Sequence, residues 1–472
     1  MKSDEKEAKI TILCSTVDSA SQNIKEHILK KREWVPLNIT SDKWKELVCA
    51  YSSEDFWLVE IDGHHIYQDG IDRKLEACGL KTRLIIVASK HKSKDGNRVV
   101  TAHYTGNSGN ADFGGHSGEL SYPAPFALRS ILKNMQKMVK NSGYEVTMES
   151  THHGPTDVSL PMVYAEIGSA EEQWKDPVAG EIAACAILNV KEDIVPIAVG
   201  FGGGHYAKRQ SKLLLENNIT FAHNFPNHQL DNLEMELVKQ AIEKSNADFV
   251  YFDRRAMSSA HKEKITGIIK DLGLQLLRES DILDMQGLPW NIYSHMFRLA
   301  NRLCPGSRLR ITSAFRQDMN NAKEIKTEEI QIFEMDEGVF SEAVSVDKKK
   351  VIELIEILDV VYLEKDNGTL PGIMMCKQGK EKASADMLID ECIKILKEHY
   401  EIKYIPEEMT LYITEERFNP ELARELGVPP GPMFAELKKG NPVTANGRIV
   451  EPLMVYTKTT RRITLGNTIT LK

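Results

Sequence analysis

At 472 residues the chain exceeds the usual size of one hydrophobic core, so two domains are expected. Its 42% hydrophobic and 27% charged residues are those of a globular protein, which excludes collagen, a coiled coil and wholesale disorder. A formal net charge of −8 argues against a uniformly basic surface, so any polyanion would have to be met by local clusters.

The segment Met1–Glu7 is acidic and lacks the apolar core of a signal peptide. The longest apolar runs, Leu84–Ala88 and Ile194–Phe201, fall well short of the ~20 residues that span a bilayer. Seven cysteines (14, 49, 78, 185, 304, 376, 392) are scattered without a C-x-x-C pair, which speaks against a disulfide framework and a zinc ribbon. A cytoplasmic protein is expected, with no membrane partner.

In chain order, Lys9–Ser15 is expected to form a strand and Ser19–Lys31 a helix, followed by strands Trp57–Ile61, Arg83–Ser89 and Arg98–Tyr104. A helix Pro125–Asn141 precedes strands Tyr144–Ser150 and Met162–Ile167. The next helix, Ser169–Leu188, opens on a capping box of Ser169 and Glu172. Strand Val195–Gly200, helices His205–Asn217 and Leu230–Ser245, strand Asp248–Phe252 and helix Ser258–Leu272 complete the alternation. Such a pattern predicts an α/β domain with a mixed central sheet flanked by helices, its ligand beyond the carboxyl ends of strands.

Leu288-Pro289-Trp290 interrupts the pattern, placing a boundary between domains 1–285 and 286–472. The second, smaller domain reads as α+β, with an acid-rich stretch Glu324–Glu342 and helices near Val346–Asp359 and Glu381–His399. Of 14 histidines only His399 lies beyond residue 295, so the chemistry belongs to the first domain.

Four segments carry that chemistry. Glu149-Ser150-Thr151-His152-His153-Gly154-Pro155-Thr156 ends a strand, where Gly-Pro lets one or both imidazoles turn into a loop-built site as bases or metal ligands. Gly200-Phe201-Gly202-Gly203-Gly204-His205-Tyr206 lies between strand and helix; its amides suit a phosphate or an oxyanion. It is neither a Walker loop nor a dinucleotide fingerprint. His223-Asn224-Phe225-Pro226-Asn227-His228 adds two histidines, and Ala165-Glu166-Ile167-Gly168-Ser169 a carboxylate at a strand end. Further histidines stand in small-residue loops at His103 and His116, and His64-His65 form a pair without an assigned role. H-E-x-x-H, G-x-S-x-G and the zinc-deaminase pattern are absent. What remains is hydrolysis by an activated water.

Two basic clusters interrupt the acidic chain. Arg129, Lys133, Lys137 and Lys140 share a helical stripe, and Arg298, Arg302, Arg308, Arg310 and Arg316 follow later. Together they point to a polyanionic partner.

The segments THHGPT (151–156), AEIGSAEEQW (165–174), GFGGGHY (200–206) and HNFPNH (223–228), with TGNSGNADFGG (105–115), resemble in order and spacing the archaeal and plant type of D-aminoacyl-tRNA deacylase. The resemblance covers roughly residues 8–280. It implies a monomeric enzyme with a core like a peptidyl-tRNA hydrolase or nucleoside phosphorylase. It also implies removal of D-amino acids from tRNA with broad side-chain tolerance, an association with zinc, and no obligate protein partner. Carried over by motif, the candidate catalytic residues and zinc ligands are His152, His153, His205 and Glu166. Many members stop near residue 285. Here Leu426–Pro432, Leu437–Gly440, Asn446–Arg448 and Leu465–Thr468 resemble a segment of the tRNA 3′-end-processing metallo-β-lactamases, but H-x-H-x-D-H is absent, so an accessory module is expected.

On this expectation the tRNA lies on Arg129, Lys133, Lys137 and Lys140, and its 3′ end enters a cleft lined by His223 and His228. Water is activated by His152 or His153, the oxyanion is held by Gly202, Gly203 and Gly204, and His205 protonates the leaving ribose oxygen. Competing readings are a peptidyl-tRNA hydrolase or nucleoside phosphorylase-like enzyme, and a non-catalytic tRNA-binding module.

Overall fold

A computed structural model describes residues 8–39, 42–321, 326–465 and 469–471, side chains of 320, 321 and 469–471 excepted. The expectations placed on Met1–Glu7, Glu324 and Gly466–Thr468 lie outside the described residues. The chain divides into two compact units, Met1–Gln286 and Gly287–Lys472.

The first unit holds β1 (Lys9–Ser15), β2 (Val35–Leu37), β3 (Leu47–Ser52), β4 (Phe56–Ile61), β5 (Thr82–Lys90), β6 (Val99–His103) and the short pair β7 (Gly106–Asn107) and β8 (Glu119–Leu120). β9 (Glu145–Met148), β10 (Met162–Gly168), β11 (Ile197–Phe201), β12 (Thr220–Phe225), β13 (Phe249–Phe252) and β14 (Gln275–Leu277) follow. Eight strands form one mixed sheet in the order β2-β3-β4-β1-β5-β10-β6-β9. β4, β1, β5 and β10 run parallel, while β6 opposes β10 and carries β9 parallel to itself. A second sheet, β12-β11-β13-β14, is all parallel. Every residue of β4, β10, β11 and β12 is buried. Strands covered on both faces need near-continuous apolar runs, which is how these segments read.

Helices α1 (Ser19–Lys31), α2 (Ile71–Ala77), α3 (Pro125–Met138), α4 (Glu171–Trp174), α5 (Pro177–Leu188) and α6 (Lys208–Glu216) flank the sheets. The unit is the expected α/β architecture, a large mixed sheet flanked by helices. α1 starts where Asp18 accepts a hydrogen bond from Ser21 N at 2.9 Å.

Three local expectations change. The helix expected over 169–188 is broken into α4 and α5, because Asp176 caps Val178 N and Pro177 takes the first helical position. The capping interaction comes from Gln173, which accepts from Ala170 N, while the Ser169 hydroxyl donates to Asn97 O. The helix expected from His205 begins only at Lys208, because 202–206 is committed elsewhere: Tyr206 forms a bridge with Glu149, and Ala207 N donates to Met148 O. β2, β3, β7, β8, β12 and β14 are additional to the strands expected from the sequence.

The second unit is α+β. Antiparallel strands Arg308–Ile311, Val361–Glu364, Ile373–Lys377, Ile330–Glu334 and Ile469–Leu471 form a five-stranded sheet. Helices Glu337–Glu356 and Glu381–His399 bury Val339, Phe340, Val351, Leu388 and Leu396 in its core. The first of these starts earlier than expected and kinks at Asp347. Strands Glu401–Ile405, Thr410–Phe418 and Tyr456–Thr464 make a further sheet. Arg308 and Arg310 of the basic cluster are paired with Asp366 and Glu364. Among the described residues no helix is long and apolar enough to cross a membrane.

Candidate active site

Five histidines, His91, His103, His152, His153 and His205, converge with Glu149 and Glu166. Register explains the start of it: Tyr164 of β10 lies beside His103 of β6, and Glu166 beside Thr101. With a period of two, Tyr164 and Glu166 point to the same side. His91 follows β5 directly, Glu149 follows β9, and His205 follows β11.

Its floor is charged and sealed. Glu149 is 0% exposed, and Glu166, His91 and His103 are buried. Glu149 Oε2 is 2.8 Å from His205 Nε2, and Glu149 Oε1 is 3.1 Å from His91 Nδ1. Neither pair is aligned as a hydrogen bond, so both carboxylate oxygens are buried without a hydrogen-bond partner. Glu166 Oε1 is 3.5 Å from His103 Nε2, which also lacks a partner. The mouth is more open: His152 is 28% exposed and His205 is 42% exposed.

Three rings are held the same way. Nδ1 of His103 faces Tyr104 O at 3.1 Å, that of His152 faces Ser150 O at 2.8 Å, and that of His153 faces Gly154 O at 2.6 Å. Donation from Nδ1–H to a main-chain carbonyl leaves the Nε2 lone pair to the site, which is how metal-ligating histidines are held. Candidate ligand atoms of His103, His152 and His153 lie within 4.8 Å of one another. The same holds for His91, Glu149 and His205, and for His103, Glu149 and Glu166.

Enclosure by protein, with the neighbouring imidazole of His103, pushes His152 well below its ordinary value and His153 to about 3, so both stay neutral. Burial also opposes charge on His91 and His103, but the carboxylates of Glu149 and Glu166 outweigh it and raise both. Burial resists ionisation of Glu149 too; His205 and His91 against it hold it well below the usual carboxylate range. Glu149 thus stays ionised, with imidazoles on both of its oxygens facing the charge.

Two close approaches fix the geometry. Gly168 faces His91: a Cβ there would meet His91 Cδ2 at 2.7 Å. Gly154 faces the 113–115 loop, where a Cβ would meet Gly114 C at 2.3 Å. Tyr206 Oη lies 2.9 Å from His91 Nε2, and Tyr164 stacks on His103 at 5.1 Å between centroids.

Of the sequence candidates, the structure brings together His152, His153, His205 and Glu166. His223 is not in the cluster; it is fully buried between Thr151 Oγ1 at 3.0 Å and Ser121 O at 3.1 Å. His228 is exposed in the turn Asn227–Gln229 and makes no described contact with the cluster. In the glycine loop the Gly202 amide donates to Phe225 O, whereas those of Gly203 and Gly204 make no hydrogen bond among the described residues. Arg129 does not share the exposed stripe. It is 3% exposed, with its guanidinium on Asp193, Ile219 O and Asn218, because its position faces the packed side of α3. Lys133 and Lys137 line a pocket of about 460 Å³ with Lys191 and Asp193, and Lys140 is exposed. Sequence reasoning missed His91, and gave no role to Glu149 or His103. For His91 and Glu149 a usable signal was a titratable residue directly after a strand.

A family model described as D-aminoacyl-tRNA deacylase matches residues 78–277, which contain every residue of this cluster. The chain is 45% identical to the D-aminoacyl-tRNA deacylase of Methanococcoides burtonii over 98% of its own length and 97% of that protein. It is 52% identical to the D-aminoacyl-tRNA deacylase of Methanosarcina acetivorans over 283 residues, 59% of this chain and 95% of that shorter protein. A crystal structure of a conserved protein of unknown function is similar at 34% identity and a TM-score of 0.55, covering 58% of this chain and 96% of that one. Near full-length identity of this order shows descent and fold together: the chain belongs to the D-aminoacyl-tRNA deacylase family.

Proposed function

We propose that the first unit hydrolyses the ester bond of D-aminoacyl-tRNA, releasing free tRNA and the D-amino acid. The observation that carries this reading, beside family membership, is the convergence of candidate ligand atoms of His103, His152 and His153 beside the buried carboxylates of Glu149 and Glu166. All seven cysteines are free, which supports the cytoplasm as the place of work.

The donor set fits zinc. His103, His152 and His153 offer three oriented, unpaired imidazole lone pairs, and His91, Glu149 and His205 offer a second mixed set of the same chemistry. The orphaned oxygens of Glu149 and the orphaned Nε2 of His103 are the atoms such an ion would satisfy. Bound there, zinc supplies Lewis acidity toward a carbonyl and lowers the pKa of a water.

The chain's own groups divide the remaining work. The amides of Gly203 and Gly204 donate to the aminoacyl carbonyl oxygen as negative charge develops; each such donor contributes about 2.7–4 kcal/mol in other acyl-transfer enzymes. Gly202 takes no part, its amide being committed to Phe225 O. His205, at the open mouth of the site with Glu149 against its Nε2, is the group placed to protonate the leaving ribose 3′-oxygen. His152 and His153 serve at Nε2 as ligands or as base for the attacking water. Lys133, Lys137 and Lys140 meet the tRNA phosphates.

The test is a His152→Ala/His153→Ala protein. Turnover of D-aminoacyl-tRNA should fall while circular dichroism stays unchanged; full turnover would remove both residues from the mechanism.

A further inference from the structure

Large exposed aromatic rings are rare on this protein. Among the described residues only Tyr67, Phe113 and Tyr122 are exposed Phe, Tyr or Trp side chains. Two of the three are carried by segments joined to the one that holds His153: Phe113 by the loop bonded to Gly154, and Tyr67 by the turn packed against Gly114 of that loop. Phe113 is 64% exposed and Tyr67 is 55% exposed.

Their attachment to the site is tight. Phe113 O accepts from Gly154 N at 3.0 Å, the residue next to His153. Gly106 N donates to His153 O at 2.7 Å, tying the start of the same loop to the other side of His153. Gly114, at φ +80°, presses on the turn that carries Tyr67: a Cβ there would lie 1.9 Å from Ile66 O and 3.2 Å from Tyr67 Cδ1. Asn107 Nδ2 donates to Gly114 O, and Thr156 Oγ1 accepts from His116 N, closing the loop onto the His153 segment. The edge of His64, also exposed, meets Tyr67 with centroids 6.4 Å apart. The loop that presents Phe113 is thus buttressed from below, while its ring faces solvent.

Burying a ring is favourable, so two rings held out of the core beside a reaction centre need an occupant. The occupant must be planar and tolerant of water on its other face. We propose that Tyr67 and Phe113 form a stacking platform for the unpaired nucleotides that precede the terminal adenosine of aminoacyl-tRNA. This rests on the ester-hydrolysis reading of the cluster, which places the aminoacylated end at His153 and therefore the preceding bases at its rim. Single-stranded bases are recognised by stacking on exposed aromatic side chains, and this works without reading sequence. A deacylase that must accept many tRNAs can use such contacts, because their 3′ ends are alike.

The experiment compares two substrates in wild type and in Tyr67→Ala, Phe113→Ala and Phe113→Trp proteins. One substrate is D-tyrosyl-tRNA; the other is 3′-O-D-tyrosyl-adenosine, which lacks the preceding nucleotides. Each alanine variant should lose roughly 5- to 100-fold in kcat/KM on the tRNA with little change on the adenosine ester, and Phe113→Trp should retain activity on both. Equal losses on both substrates would assign the rings to the amino-acid end and overturn the platform. Unchanged rates on both would overturn it as well. If wild type releases tyrosine from neither substrate, it is the ester-hydrolysis reading that fails, and the platform falls with it.

Discussion

His205 Nε2 lies 2.8 Å from Oε2 of Glu149, a carboxylate with no exposure whose oxygens find no hydrogen-bond donor. A buried charge without such partners is costly unless cations surround it. Glu149→Gln should therefore leave the fold intact, as judged by circular dichroism, and lower turnover by at least about 100-fold. Wild-type turnover in the glutamine protein would mean that the negative charge is not used.

Gly168 offers a test of how closely the floor is fitted. A methyl group there would sit 2.7 Å from His91 Cδ2 and 2.9 Å from Val99 Cγ2, so Gly168→Ala has to displace His91. Overpacking of this kind costs about 1–3 kcal/mol, and a lowered melting temperature with reduced deacylation is the expected pair of results. An unchanged rate would show that His91 need not stand where it does.

His223 separates structure from chemistry. Burial pushes it to about 3, so the folded protein keeps it neutral while the unfolded chain takes up a proton near 6.5. Its folded value is depressed, so its stabilising contribution is complete above about 6.5 and is lost progressively as pH falls toward 3. His223→Asn should lower stability at pH 7 by about 1–3 kcal/mol, through the hydrogen bonds to Thr151 and Ser121, and flatten this acid slope in urea titrations. A slope identical to wild type would contradict the assignment.

How much of this was legible follows from what each segment has to satisfy locally. Lys9–Ser15 and Ser19–Lys31 were readable to their ends because a buried β-rich run and the Asp18 cap are signals within a few residues. His152, His153, His205 and Glu166 were readable because adjacent histidines, a glycine loop and a strand-end carboxylate are unusual in composition. Arg129 was misplaced because helical spacing gives a common stripe but does not say which edge of it meets the core. His223 and His228 looked equivalent in one motif, yet the first sits on buried β12 and the second in an exposed turn. His91 was missed because its neighbours Glu149 and Glu166 are brought to it only by the pairing of β5, β10, β6 and β9, which no local pattern reports.

The basic stripe gives a contrast between neighbours on one helix. Lys137→Ala and Lys140→Ala should each weaken tRNA association and reduce the slope of log K against log salt by about 1 per lost phosphate contact. Arg129→Ala should instead destabilise the fold by about 2–3 kcal/mol through its lost charged hydrogen bonds, seen as a drop in melting temperature. Equal salt slopes in all three proteins and wild type would move the tRNA to another face.

The histidine cluster is proposed to hydrolyse D-aminoacyl esters in preference to L-aminoacyl esters. Release of tyrosine from D-tyrosyl-tRNA and L-tyrosyl-tRNA by the purified protein, before and after chelation, tests it most directly. Fast release from the D-substrate, slow release from the L-substrate and loss of both on chelation are the predicted results. Absence of release from either substrate would contradict the claim and turn attention to peptidyl-tRNA and nucleosides.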